Sequence, residues 1–186
     1  MDATLRCFVG LALDEANSAT LHERVTSVLD ARDWKLHERE DYHLTLCFLG
    51  EIAAESLPTL RSNLAGYLRD MPSLKLTLRG ASFFGEASSP RVLWADVAGS
   101  ELDLTRLVAL RRATAAAIED SGLTWDSAES FTPHVTVARP RRRASLPEGF
   151  AALALDLAWS PTAATLFGSV PGARPHYPGL DSFALV

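Results

Sequence analysis

A chain of 186 residues that carries the same four-residue pattern twice, in two comparable settings, has few folds open to it. His43-Leu44-Thr45-Leu46 and His134-Val135-Thr136-Val137 each alternate a polar residue with an apolar one. Alternation at period two marks a strand with one face against a core and the other free. Residues i and i+2 share a face, so His43 and Thr45 look one way while Leu44 and Leu46 look the other. His134 and Thr136 stand over Val135 and Val137 in the same manner. Each strand presents an imidazole beside a hydroxyl on an apolar backing.

The surroundings repeat as well. Leu5 to Leu13 is an apolar run that predicts a buried strand. Asp14 starts a helix in which Leu21, Val25, Val28 and Leu29 recur at helical spacing to about Ala31. Trp34–Leu36 reads as a short strand, and His43 to Gly50 as a clear one that the glycine closes. A second helix is expected over Ala53 to Arg69, with Leu57, Leu60, Leu64 and Leu68 on one face and Pro72 as its stop. Leu74 to Arg79 alternates like a half-exposed strand, Gly85 to Pro90 is turn chemistry, and Arg91 to Val97 is another strand. A long helix over Asp103 to Asp120 places Leu107, Leu110, Thr114 and Ala117 in one stripe, with Gly122 behind it. Thr124-Trp125 stands where the first half has its short strand. Phe131 to Arg139 follows as the second motif strand, and further strands are expected at Leu153–Trp159, Ala163–Val170 and Ser182–Val186. Strand, helix, short strand, His-x-Thr therefore occurs twice, at nearly equal spacing. Duplication predicts two similar units whose motif strands face a common cleft.

Imidazoles exchange protons near neutral pH, and hydroxyls hydrogen-bond phosphoryl oxygens. Two histidines on opposite sides of one phosphate suit an in-line displacement, one taking the proton of the attacking oxygen and the other protonating the leaving oxygen. Arg139, five residues past His134, can reach the same pocket with a planar fork suited to phosphate. With Thr45, Thr136 and Arg139 holding the charge, no metal is required. The residues alone do not say which histidine gives the proton. A single His-x-Thr would be an ordinary strand edge; the second copy, in a chain with five histidines, carries the argument.

The bulk properties narrow the class. A net charge of −5 argues against wrapping long stretches of nucleic acid, though not against holding a short end. Cys7 and Cys47 lie in apolar runs with no C-x-x-C pair, as buried free thiols of a reducing cytoplasm would. The Phe8–Leu13 stretch lacks the basic lead and long apolar centre of a signal peptide. No run approaches the roughly 20 apolar residues that cross a bilayer. There is no H-E-x-x-H and no spaced His/Asp/Cys set for a metal, so neither metal nor cofactor is expected. A cytoplasmic monomer without an obligate protein partner is the expectation.

The extended motifs, His43-Leu-Thr-Leu-Cys-Phe-Leu-Gly50 and Phe131-Thr-Pro-His-Val-Thr-Val-Ala-Arg139, resemble the paired signature of the 2H phosphoesterase superfamily. With Arg6-Cys-Phe-Val, Arg91-Val-Leu-Trp94 and the tail from Tyr177 to Leu185, the chain is similar to the bacterial and archaeal RNA 2′,3′-cyclic phosphodiesterases, also described as 2′–5′ RNA ligases. The resemblance covers nearly the whole chain. It implies one bilobal α+β domain over residues 1–186, with two antiparallel sheets lining a central cleft, helices outside and a pseudo-two-fold repeat. It further implies hydrolysis of RNA or nucleotide 2′,3′-cyclic phosphates to 2′-phosphomonoesters. His43 would be the proton donor to the leaving 3′ oxygen, His134 the proton acceptor from water, and Thr45 and Thr136 ligands of the non-bridging oxygens.

Other readings stand beside it: 2′–5′ ligation at the same site, non-catalytic RNA-end binding by the basic run Arg139–Arg143, and, weakest, a metal hydrolase. His22 and His37 read as surface residues, and that basic run as a solvated turn. His176, beside Tyr177, is a lesser candidate for the cleft. Phe83, Phe84 and Trp94 are expected in the core or the cleft wall, with one phenylalanine able to stack on a base.

Overall fold

The structure is a computed structural model that describes residues 3–127 and 130–186. Its strands are β1 (Thr4–Ala12), β2 (Trp34–Leu36), β3 (His43–Ala53), β4 (Leu76–Glu86), β5 (Ser89–Gly99), β6 (His134–Pro140), β7 (Leu157–Trp159), β8 (Ala163–Gly168) and β9 (Gly179–Ala184). Its helices are α1 (Glu15–Thr26), α2 (Leu57–Tyr67) and α3 (Glu101–Asp120). The chain is thus of the α+β class. Among the described residues no helix is long and apolar enough to cross a membrane.

Among the described residues the nine strands form one sheet in the order β7-β4-β5-β6-β3-β1-β8-β9, with β2 added beside β6. Every pairing is antiparallel. The two motif strands, β3 and β6, meet at the middle through a single residue pair, Leu44 opposite Val135. The two sheets expected of the lobes are the halves of this one sheet: β3-β1-β8-β9 on one side of the seam, β6-β5-β4-β7 on the other. Register shifts in the β1–β3, β4–β5 and β5–β6 ladders are the local bulges that increase twist and let such a sheet curl.

Burial fixes which face of the motif strands looks where. Leu44, Leu46, Val135 and Val137 are all 2% exposed or less and lie in the core, while His43, Thr45, His134 and Thr136 are half-buried on the opposite face. Leaving an aliphatic side chain of this kind in water costs about 1.5–3 kcal/mol. A one-residue slip would expose all the apolar members of a strand at once. Core packing therefore holds both His-x-Thr pairs toward the cleft. Behind the sheet α2 packs on α3, and α3 on β3 and β5.

Several element boundaries differ from the sequence expectation, for identifiable reasons. α1 ends at Thr26 instead of near Ala31 because the hydroxyls of Thr26 and Ser27 bond back to the carbonyls of His22, Glu23 and Arg24. Gly50 does not close β3. It takes φ +72 at a bulge, and the strand runs on to Ala53. That extension and a 3-10 turn at Ala54–Ser56 delay α2 to Leu57, with Pro58 in its first turn. The Gly85–Pro90 tract turns only at Ala87-Ser88, and β4 and β5 make a long hairpin around it. Of Leu153–Trp159 only the last three residues are strand, and the final strand lies at Gly179–Ala184.

The repeat is also incomplete. Thr124-Trp125 forms no strand: the Trp125 indole donates to Glu119 at 2.9 Å and its ring takes the Arg111 guanidinium at 5.0 Å. β2, from the first half of the sequence, instead crosses the seam to pair with β6.

Candidate active site

His43 opens β3 and His134 opens β6, so each ring stands where a strand begins. The segment before each histidine is not yet pleated, and its carbonyl two residues back comes within reach of the ring. The His43 Nδ1 lies 2.7 Å from the Asp41 carbonyl oxygen, and the His134 Nδ1 lies 2.8 Å from that of Thr132. A carbonyl only accepts, so both Nδ1 atoms carry the hydrogen. In the neutral ring this leaves Nε2 as the free lone pair on each side.

The enclosures differ. His43 stacks on Phe8 at 4.4 Å between centroids, meets the edge of Tyr177 at 5.2 Å and lies 5.6 Å from Phe167. His134 meets the edge of Phe84 at 5.0 Å and lies 5.6 Å from Trp94. Burial is the first cause that lowers both pKa values, taking His43 down to about 4 and His134 below its ordinary value. The hydrogen bond to a backbone carbonyl opposes burial at both rings. Beyond it, the Asp41 carboxylate favours and His134 disfavours the charged form of His43, while Arg139 disfavours that of His134.

His43, Thr45, Thr136 and Arg139 line one cleft of about 370 Å³, together with Arg6, Phe8, His37, Phe48, Ser169 and Tyr177. His134 shares the strand face of Thr136. The cleft lining thus gathers two imidazoles, those of His37 and His43, with two threonines and two arginines. Arg6 lies over the Phe48 ring at 4.9 Å. Among the described residues no group of three or more His, Cys, Asp or Glu side chains is arranged to hold a metal ion.

One placement overturns the sequence reading. His37 is no surface residue: its amide bonds the Val137 carbonyl at 2.9 Å, which turns its ring into the cleft. Burial first, then the charges of His43 and Arg139, hold it down to about 4. The basic run is the solvated turn the sequence suggests, with Arg141, Arg142 and Arg143 all exposed. Arg141 donates to the Ala31 carbonyl at 2.9 Å, and Arg142 to Asp33 at 2.5 Å, which ties both to the turn after α1. His22 is held by the Tyr42 hydroxyl at 3.1 Å, away from the cleft. Phe8 was legible only as an apolar strand residue. Asp41 was hidden in the charged string Glu38-Arg39-Glu40-Asp41, where nothing in the sequence separates it from its exposed neighbours.

Comparison with known proteins points the same way. Residues 14–169 match the family model described as the 2′-5′ RNA ligase superfamily. An RNA 2′,3′-cyclic phosphodiesterase of Escherichia coli K12 is 34% identical over 149 residues, which cover 78% of this chain and 77% of that protein. One from Thermotoga maritima is 32% identical over 100 residues, covering 54% of this chain and 50% of that protein. The chain therefore matches only about half the length of the Thermotoga relative. The crystal structure of TT0787 of Thermus thermophilus superposes with a TM-score of 0.77 at 29% identity, covering 97% of this chain and 98% of that one.

Proposed function

The chain belongs to the 2′-5′ RNA ligase superfamily, and on that premise we propose that it hydrolyses the 2′,3′-cyclic phosphate of RNA ends or nucleotides to a 2′-phosphomonoester. The observation that carries the proposal is the pair of imidazoles tied back through Nδ1, with two threonines and Arg139 on the same cleft. Such a pair can move one proton in and one proton out across a single phosphorus.

In the reaction His134 Nε2 takes a proton from water, whose oxygen attacks phosphorus. The P–O3′ bond breaks opposite the attack, and the 3′ oxygen takes the proton from His43 Nε2. Thr45, Thr136 and Arg139 hold the non-bridging oxygens as charge builds on them. Water and diester become a monoester and a free 3′ hydroxyl, and the two histidines have exchanged charge states.

Burial holds His43 down to about 4, so its donor role needs charges that oppose burial. Burial by itself keeps both rings neutral, and a donor must be charged. The Asp41 carboxylate favours a proton on His43, while Arg139 favours a bare Nε2 on His134. The anionic phosphate adds to the pull on His43 when it enters. No metal ion is called for in any step. The relatives that carry the name RNA 2′,3′-cyclic phosphodiesterase favour hydrolysis over joining. The superfamily's description keeps the reverse reaction, 2′–5′ ligation, as a second reading of the same site. A cytoplasmic setting suits two buried free cysteines.

The test is product analysis on a short RNA ending in a 2′,3′-cyclic phosphate, with excess EDTA. A 2′-phosphate end is expected. A 3′-phosphate would reverse the leaving-group assignment, and an intact cyclic end would overturn the proposal.

A further inference from the structure

Ten residues join β8 to β9, and this loop, 169–178, crosses the His43 side of the cleft. Its own bonds are few. Val170 N–H donates to the His176 carbonyl at 2.9 Å, and Ser169 N–H to the Arg6 carbonyl at 2.8 Å. Arg174 reaches Glu38 at 3.5 Å, an exposed pair of the kind that contributes little. The polar anchor that is buried is Asp41, 3% exposed. One of its carboxylate oxygens accepts from His176 Nδ1 at 3.0 Å, and the other from the Tyr177 amide at 3.0 Å. A buried carboxylate with two converging donors is expensive to leave half-satisfied.

The same residue's main-chain carbonyl is the group that takes the His43 Nδ1 hydrogen. On the loop, the residue after His176 is Tyr177, whose ring stands edge-on to both His43 and Phe8, at 5.2 and 5.3 Å. One residue therefore grips the loop with its side chain and the reacting imidazole with its backbone.

We propose that Asp41 is a positioning residue that clasps the β8–β9 loop through His176 and the Tyr177 amide, seating the Tyr177 ring against His43. Neither Asp41 nor His176 touches the reacting atoms. Their work is to hold the lid of the His43 pocket shut, which keeps water off the ring and its plane fixed. The cyclic-phosphate reading underlies the kinetic half of the test only; the spectroscopic half stands without it.

Three variants serve: His176→Ala, His176→Asn and Asp41→Asn. In His176→Asn the amide nitrogen falls where Nδ1 stood, so the clasp is retained. In Asp41→Asn the carboxylate charge is lost, and with the amide oxygen on the Tyr177 N–H the amide nitrogen faces His176 Nδ1, which keeps the contact only by giving up its hydrogen and accepting, a weaker clasp. With 2′,3′-cyclic AMP as substrate, His176→Ala and Asp41→Asn should each lower kcat about tenfold, the scale of one lost positioning hydrogen bond. KM should stay within about twofold, and His176→Asn should recover most of the loss. By NMR titration of labelled histidine rings, His43 in His176→Ala should titrate about one pH unit higher than in wild type, because water regains the ring.

Wild-type kcat together with an unmoved His43 titration in His176→Ala would overturn the proposal, as would failure of His176→Asn to outperform His176→Ala. Should wild-type protein leave the cyclic nucleotide intact, the cyclic-phosphate reading falls, and the titration arm alone decides the clasp. If Asp41→Asn melts early, His176→Ala, at a half-exposed loop position, still gives both readouts.

Discussion

Around His43 the protein packs Phe8, Phe167 and Tyr177 and sets a buried carboxylate behind the ring; around His134 it packs Phe84 and Trp94, and the charge that acts on the ring is that of Arg139. The two halves carry the same pair of side chains on the same kind of strand, each ring tied to a carbonyl two residues back. What separates them is the sign of the neighbouring charge. A duplicated scaffold with identical surroundings would give two equal bases. In the proposed reaction Asp41 on one side and Arg139 on the other would give the proton its direction.

The largest expected effect tests that asymmetry directly. His43→Ala and His134→Ala should each reduce kcat by about 10³-fold, the scale of a lost general acid or base. A p-nitrophenyl phosphodiester, whose leaving group needs no proton, should restore much of the rate to His43→Ala and none to His134→Ala. Equal rescue of both in a steady-state assay would mean that the halves are interchangeable. Next comes Arg139→Gln, expected to cost about 10- to 100-fold in kcat/KM through a lost charge-assisted contact to phosphate. Replacement by Lys should recover only part, because a point charge cannot make the two-pronged contact. Thr45→Val and Thr136→Val should cost about tenfold each, one hydrogen bond to an anionic oxygen. A double-mutant cycle in kcat/KM would show whether the two hydroxyls hold one phosphate together.

The smallest effect concerns stability. His37 and His43 are both held at about 4, against an ordinary 6.5. Between those values the unfolded chain binds protons that the folded chain refuses, so stability is full above pH 6.5 and is lost as pH falls toward 4. Urea melts from about pH 7 to about pH 5 should show this slope, and His37→Asn should flatten it by the share of one proton. An unchanged slope in that variant would remove His37 from the buried set.

Much of this was legible in the chain itself. The alternation in His43–Leu46 and His134–Val137 specified both motif strands and their faces, since four apolar residues admit one register only. Helix α3 was readable from its stripe and α2 from its leucines. What stayed hidden depended on contacts far apart in sequence. His37 looked polar and exposed because its burial comes from β6, about a hundred residues away. Asp41 looked like its charged neighbours because its partners, His176 and Tyr177, are 135 and 136 residues on. The short strand expected at Thr124-Trp125 failed because β2 took the place beside β6, which no local pattern announces.

One position in β1 sets the machining tolerance of the whole proposed catalytic centre without doing any chemistry. A Cβ built at Gly10 would stand 2.6 Å from the Leu44 carbonyl oxygen, closer than real Cβ atoms come to a neighbour. Leu44 sits between His43 and Thr45 and is also the residue that meets Val135 across the seam. A single added methyl must push that peptide aside, and the displacement passes to one His-x-Thr pair directly and to the other through the seam. The bare backbone at Gly10 is thus a shared datum for both motif histidines: their spacing is gauged from a residue that touches neither.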